Sequence, residues 1–69
     1  MQMHPCNSSL IGSYGYERES RRMEIRFLSG GTWRYDGVPW EVFEGFLRAG
    51  SKGKYFRAHI KGRYAETRI

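Results

Sequence analysis

Apolar residues recur along this chain with two different periods. From Arg22 to Leu28 they alternate: Met23, Ile25 and Phe27 fall on one side of an extended chain, and Arg22, Glu24, Arg26 and Leu28 on the other. A period of two marks a half-buried strand. Ser29-Gly30-Gly31 supplies the positive-φ residues of a tight turn, and alternation resumes from Thr32 to Asp36, with Trp33 and Tyr35 together and Arg34 opposite. An earlier segment, from Ser9 to Tyr16, has strand-like composition interrupted by Gly12 and Gly15, which suggests a bulge or a close backbone approach. The polar stretch Glu17 to Arg21 joins it to the next strand. The pattern predicts a three-stranded antiparallel β-meander with strands near 9–16, 22–28 and 32–36.

After Asp36-Gly37 the period lengthens. At 100° per residue Val42, Phe43, Phe46, Leu47 and Ala49 share one arc, with Glu41, Glu44 and Arg48 opposite, which predicts an amphipathic helix near 39–49. Pro39 suits its first position, where the missing N–H costs nothing, and Gly50 its stop. Ser51 is placed to cap a second helix near 52–64, on which Phe56, Ile60 and Tyr64 share a face. A meander with one apolar face needs a cover. The fold class is therefore α+β, with both helices packed on one face of the sheet. Trp33 and Tyr35 then read as core filler, and an exposed ligand-stacking face is the alternative. Residues 1–7 contain a proline and no periodicity and read as a disordered tail, which leaves one domain over 8–69.

Charge changes this picture. Twelve Lys and Arg against seven Asp and Glu give +5, and the excess is local. From Arg48 onward there are seven cations and one anion, Glu66, whereas the preceding residues hold five cations and six anions. The start of the second helix, Ser51-Lys52-Gly53-Lys54, combines free backbone N–H groups and a positive dipole end with two lysines. It reads either as an anion site or as a solvated helix start. Farther along, Lys54, Arg57 and Lys61 share a sector opposite Phe56 and Ile60 and form a basic stripe, with Arg63 beyond it. Arg48 and Arg34 are outlying members. Such a surface suits nucleic-acid phosphate, while simple solubility is the plainer reading.

Other chemistry is thinly represented. His4, Cys6 and the distant His59 do not match a four-ligand metal pattern, and His59, four residues after Tyr55, reads as a packed edge histidine. No nucleophile, base and orienting group stand at a recognisable spacing, so neither catalysis nor a cofactor is expected. The lone Cys6 cannot close an intramolecular disulfide, and the opening MQMHPCNSS lacks the apolar stretch of a signal peptide. With no apolar run long enough to span a bilayer, the expectation is a cytoplasmic monomer.

Taken in order, Ser8-Ser9-Leu10-Ile11, Gly15-Tyr16, Met23-x-Ile25-x-Phe27, Ser29-Gly30-Gly31, Trp33-Arg34-Tyr35, Gly37-Val38-Pro39, Ala49-Gly50-Ser51-Lys52-Gly53 and Tyr55-Phe56-x-x-x-Ile60 with Tyr64 resemble the KTSC domain. The resemblance implies a small α+β module, found as a stand-alone bacterial protein and at the C-terminus of some lysyl-tRNA synthetases, a fusion that suggests RNA binding. Two positions depart from the family pattern. Trp33 stands for the first tyrosine of a Y-x-Y motif, exchanging an O–H tip for an N–H, and Arg57 stands where asparagine commonly follows Tyr-Phe. The expected function is a non-catalytic module that binds RNA, such as tRNA, or another polyanion. Its phosphate contacts would come from Ser51, Lys52, Gly53, Lys54, Arg57, Lys61 and Arg63, with Arg48 and Arg34 outlying. The alternative is a protein-interaction module for an acidic partner.

Overall fold

The computed structural model describes residues 1–69. Its elements are β1 (His4–Pro5), β2 (Ile11–Glu17), β3 (Arg22–Phe27), β4 (Thr32–Asp36), α1 (Trp40–Arg48), α2 (Lys52–His59) and β5 (Ala65–Arg68). One antiparallel sheet has the order β1-β2-β3-β4-β5. The central meander is the expected one, and its register sets Met23 opposite Tyr35 and Ile25 opposite Trp33, so the alternating apolar positions do share one face. Gly30 and Gly31 take φ of 103° and 85° in the connecting turn, which Phe27 closes by donating its N–H to Gly31 O at 3.1 Å.

The sheet has five strands rather than three, and both additions are edge strands without a buried side chain. Sequence periodicity detects strands by their buried face, so it is silent about these two. Residues 1–7 are correspondingly not a structureless tail. His4 and Pro5 pair with Tyr14 and Ser13, and Cys6 donates its N–H to Gly12 O at 2.9 Å. The two glycines of β2 accommodate the expected irregularities. The register shifts between Ile11 and Ser13, and a Cβ at Gly15 would lie 2.8 Å from Met3 Sδ and 2.9 Å from Gln2 O.

Nine residues form the core: Ile11, Met23, Ile25, Tyr35, Val38, Phe43, Phe46, Phe56 and Ile60. The helix α1 supplies Phe43 and Phe46, which meet the β2 tyrosines. Tyr16 stacks on Phe43 at 4.3 Å between ring centroids, and Tyr14 meets Phe46 edge-on at 5.2 Å. The helix α2 supplies Phe56, which sets its ring edgewise against Phe27 of β3 and Tyr35 of β4 at 5.4 and 5.5 Å. The two helices meet where Tyr55 crosses Gly45 and donates its hydroxyl to Val42 O at 2.8 Å. A side chain at Gly45 would strike that ring, which explains a glycine inside a helix despite a propensity penalty of about 1 kcal/mol.

Helix boundaries differ modestly from expectation. Pro39 is the N-cap of α1 rather than its first residue, and Ala49, in extended conformation, is the C-cap ahead of Gly50. The larger difference is that α2 stops at His59 instead of running to Tyr64. Ile60 and Lys61 both donate to Phe56 O, and Gly62 at φ 77° lets the chain reverse, closed by Arg63 N–H to Ile60 O at 3.1 Å. Residues 60–64 form this turn, and Ala65–Arg68 beyond it form β5 on the outer edge of β4.

Candidate functional site

The face of α2 that buries Phe56 and Ile60 leaves Lys54 and Arg57 exposed, as is Lys61 just beyond the helix end. None of the three takes part in an ion pair. The three ion pairs of the molecule lie elsewhere: Arg22 and Arg34 each place Nε 3.4 Å from Asp36 Oδ1, and Arg48 Nη2 lies 3.7 Å from Glu44 Oε2. Arg34 and Arg48, expected as outlying phosphate contacts, are therefore engaged by carboxylates, and Arg34 lies on the sheet face opposite to α2.

The start of α2 has a structural occupation. Ser51 caps the helix, its Oγ accepting from Lys54 N–H at 3.3 Å. Gly53 is buried, and a Cβ there would already touch Leu10 Cβ at 3.4 Å. Lys52 turns away from its own helix and donates Nζ to Leu47 O, 3.2 Å away in the last turn of α1. That contact answers the unfavourable position of a lysine at a helix N-terminus, because the same ammonium serves the negative end of the preceding helix. Arg63 lies off the helix and donates Nε to Ala58 O at 3.1 Å. The stripe is thus reduced to Lys54, Arg57 and Lys61, with Arg63 nearby.

A cleft of about 350 Å³ opens beside these cations. Phe27, Trp33, Tyr35 and Phe56 make up its aromatic lining together with Leu10, while Arg57, Lys61 and Glu66 provide its charged groups. Both positions that depart from the family pattern, Trp33 and Arg57, line this one cleft. Tyr35 is fully buried, as the alternation of β4 implied, but Trp33 is only half-buried. Glu66 lies beside them because β5 registers it opposite Tyr35, and directly opposed residues project to the same side of a sheet. Sequence reasoning missed Glu66 as part of the site. The available signals were Gly62 as a helix stop and the short polar alternation after it.

Tyr35 holds its proton firmly. Burial and the neighbouring charge of Glu66 push the phenol well above its ordinary 10.0. Burial also raises Tyr16 and Tyr55. A raised pKa means that the folded state binds the proton more tightly than the unfolded chain, so this contribution is complete below pH about 10 and is lost as pH rises beyond it. Urea unfolding should therefore show stability falling above pH about 10, with each affected proton contributing a slope of about 1.4 kcal/mol per pH unit. Tyr35→Phe has no phenol proton to lose, so its stability relative to the parent should rise as pH climbs above about 10. A difference independent of pH would contradict the assignment.

Other titratable groups do not assemble into a reaction centre. The ring centroids of His59 and Tyr55 lie 4.5 Å apart, the packed arrangement expected, while the Tyr55 hydroxyl is committed to Val42 O. Cys6 is half-buried, and burial raises its thiol pKa, partly opposed by the Lys52 ammonium. No group of three His, Cys, Asp or Glu side chains comes together at metal-binding distance. No helix is long and apolar enough to cross a membrane.

These features define a small α+β domain: an antiparallel meander covered on one face by two helices, the second of which carries unpaired cations beside an aromatic cleft. The chain belongs to the KTSC domain family, whose model matches residues 7–64. The crystal structure of a KTSC domain protein from Yersinia pestis superposes with a TM-score of 0.96 at 41% identity, covering 99% of this chain and 96% of that one. An uncharacterized protein of Stutzerimonas stutzeri is 39% identical over 61 residues, 88% of this chain and 86% of its own length. A lysine–tRNA ligase of Nostoc punctiforme is 38% identical over 56 residues, which are 81% of this chain and only 10% of the ligase.

Proposed function

We propose that this domain is a non-catalytic RNA-binding module that grips phosphates through Lys54, Arg57 and Lys61, assisted by Arg63. The observation that carries this reading is that the first three lie exposed together on and just beyond α2 with no carboxylate partner, whereas Arg22, Arg34 and Arg48 are paired and the other unpaired arginines, Arg18, Arg21, Arg26 and Arg68, lie on or between strands. Lys54 and Arg57, three apart on α2, repel by roughly 0.2–0.5 kcal/mol, and a polyanion removes that repulsion. RNA is preferred to other polyanions because a segment similar to this chain occurs within a lysine–tRNA ligase, an enzyme that handles tRNA. Phosphate contacts position a nucleic acid without reading its bases, so these cations confer no sequence preference themselves. In this reading the domain acts as a cytoplasmic monomer, its single half-buried thiol needing no partner.

Filter binding with tRNA and with duplex DNA, repeated from about 50 to about 200 mM salt, tests the proposal. Tight tRNA binding that falls steeply with salt is expected, since each neutralised phosphate releases condensed counterions. Failure to bind either nucleic acid at the lower salt would refute it and favour an acidic protein as the partner of the same face. Weak binding that does not distinguish tRNA from duplex DNA would refute the preference for RNA.

A further inference from the structure

The phosphate-binding reading leaves the neighbouring cleft without a role. Trp33 lies on the inner, helix-covered side of the sheet, yet it is half-buried, because α2 ends at His59 and the chain turns away at Gly62. The cleft so exposed offers the half-buried rings of Phe27 and Trp33 over a floor of Tyr35 and Phe56, with cations at Arg57 and Lys61 and one carboxylate at Glu66. At about 350 Å³ it falls at the lower end of the range of small-molecule pockets, suited to one planar group. An aromatic wall with guanidinium and ammonium groups alongside matches a nucleotide: the base stacks while its phosphate meets the cations.

We propose that this cleft receives a single unstacked base of single-stranded RNA, guanine by preference. The inference rests on the RNA-binding reading and assigns it a base-recognition site. A base within a duplex cannot enter, because both its faces are stacked and its pairing edge is occupied. The preference follows from Glu66. An ionised carboxylate can only accept hydrogen bonds. Guanine presents two adjacent donors, N1–H and the N2 amino group, on its pairing edge. Adenine and cytosine present one amino donor beside an acceptor, and uracil one N–H between two acceptors. A carboxylate in the cleft therefore gains most from guanine and is left facing a lone pair by the other bases. The pairing of Glu66 with Tyr35 across β4 and β5 puts that carboxylate at the rim of the cleft.

The test uses the whole protein labelled with ¹⁵N and titrated with the single strands UUGUUU and UUAUUU and with an RNA duplex. The expected result is a shift of the Trp33 indole N–H resonance with UUGUUU and little change at Trp40. UUGUUU should bind about 10-fold more tightly than UUAUUU, and Glu66→Gln should abolish most of that difference. Trp33→Leu should lower the ratio of single-strand to duplex affinity by about 10-fold, as expected for one lost stacking partner, whereas Trp33→Phe should retain most of it. The resonance shift of the parent protein decides the matter even if the leucine variant fails to fold. An unmoved Trp33 while strands and duplex bind alike would overturn the cleft and leave the phosphate face standing. Equal binding of the two single strands with Trp33 shifted would overturn the guanine preference. No binding of any RNA would overturn both the cleft and the phosphate-binding reading beneath it.

Discussion

Replacing Phe56 with alanine should bring the domain to the edge of unfolding. The ring is 2% exposed and makes edge contacts with Phe27 and Tyr35 from two different strands. Deleting a buried phenylalanine ring removes its transfer energy and leaves a cavity, together about 3–5 kcal/mol. A chain of this length holds roughly 3–10 kcal/mol in all, at about 0.05–0.15 kcal/mol per residue. The midpoint of thermal unfolding, followed by far-ultraviolet circular dichroism, should fall by about 12 °C or more, since each kcal/mol corresponds to about 4–8 °C in a small domain. Phe56→Leu should fall between the two, because it fills part of the cavity. A midpoint shifted by only a few degrees in the alanine variant would mean that α2 is not docked through this ring, and the placement of the cations outside it would lose its basis.

The second large effect is expected from the exposed side of the same helix and the turn that follows it. A triple variant carrying Lys54→Gln, Arg57→Gln and Lys61→Gln should lose most of its affinity for tRNA while unfolding at nearly the parent temperature. All three side chains are exposed and unpaired, and surface substitutions of this kind usually change stability by no more than about 0.5 kcal/mol. If each cation neutralises one phosphate, the three together contribute about 2.7 to the slope of log affinity against log salt, or about 40-fold between 50 and 200 mM. The triple variant should therefore show a slope shallower by about 2–3 as well as weaker binding. A parallel loss at every salt concentration with an unchanged slope would mean that the residues act through structure. Lys52→Gln belongs to a different class: its contact with Leu47 O serves α1, so its effect should appear in stability before it appears in RNA affinity.

The central meander was legible because β3 and β4 bury alternate residues. Met23, Ile25 and Tyr35 could be assigned to the core from spacing alone, and the structure buries all three. The caps were nearly as legible, since Ser51 Oγ does accept from Lys54 N–H. What escaped was every element without a buried face. His4–Pro5 and Ala65–Arg68 pair at the two edges of the sheet and bury no side chain. The end of α2 was misplaced because Tyr64 continues the spacing of Phe56 and Ile60, whereas the backbone at Gly62 follows a turn. Among the candidate contacts, Lys52, Arg48 and Arg34 could not be separated from Lys54, Arg57 and Lys61 by composition, since charge type says nothing about which carboxylate or carbonyl comes within reach.

By itself the sequence determined the α+β class, the inner face of the central strands, the buried rings Phe43, Phe46 and Phe56 of the two helices, though not that Leu47 is exposed, and the concentration of positive charge from Arg48 onward, because each is written in local period and composition. The tertiary structure alone decided which cations remain free, since ion pairs such as Arg34 with Asp36 and the reach of Lys52 to α1 depend on distances across elements. It also decided that Trp33, Arg57 and Glu66 line one cleft. Those residues are far apart in the chain and meet only because a glycine at 62 turns the backbone out of α2 and returns it along the edge of β4, a pairing made by peptide groups that carry no side-chain signature.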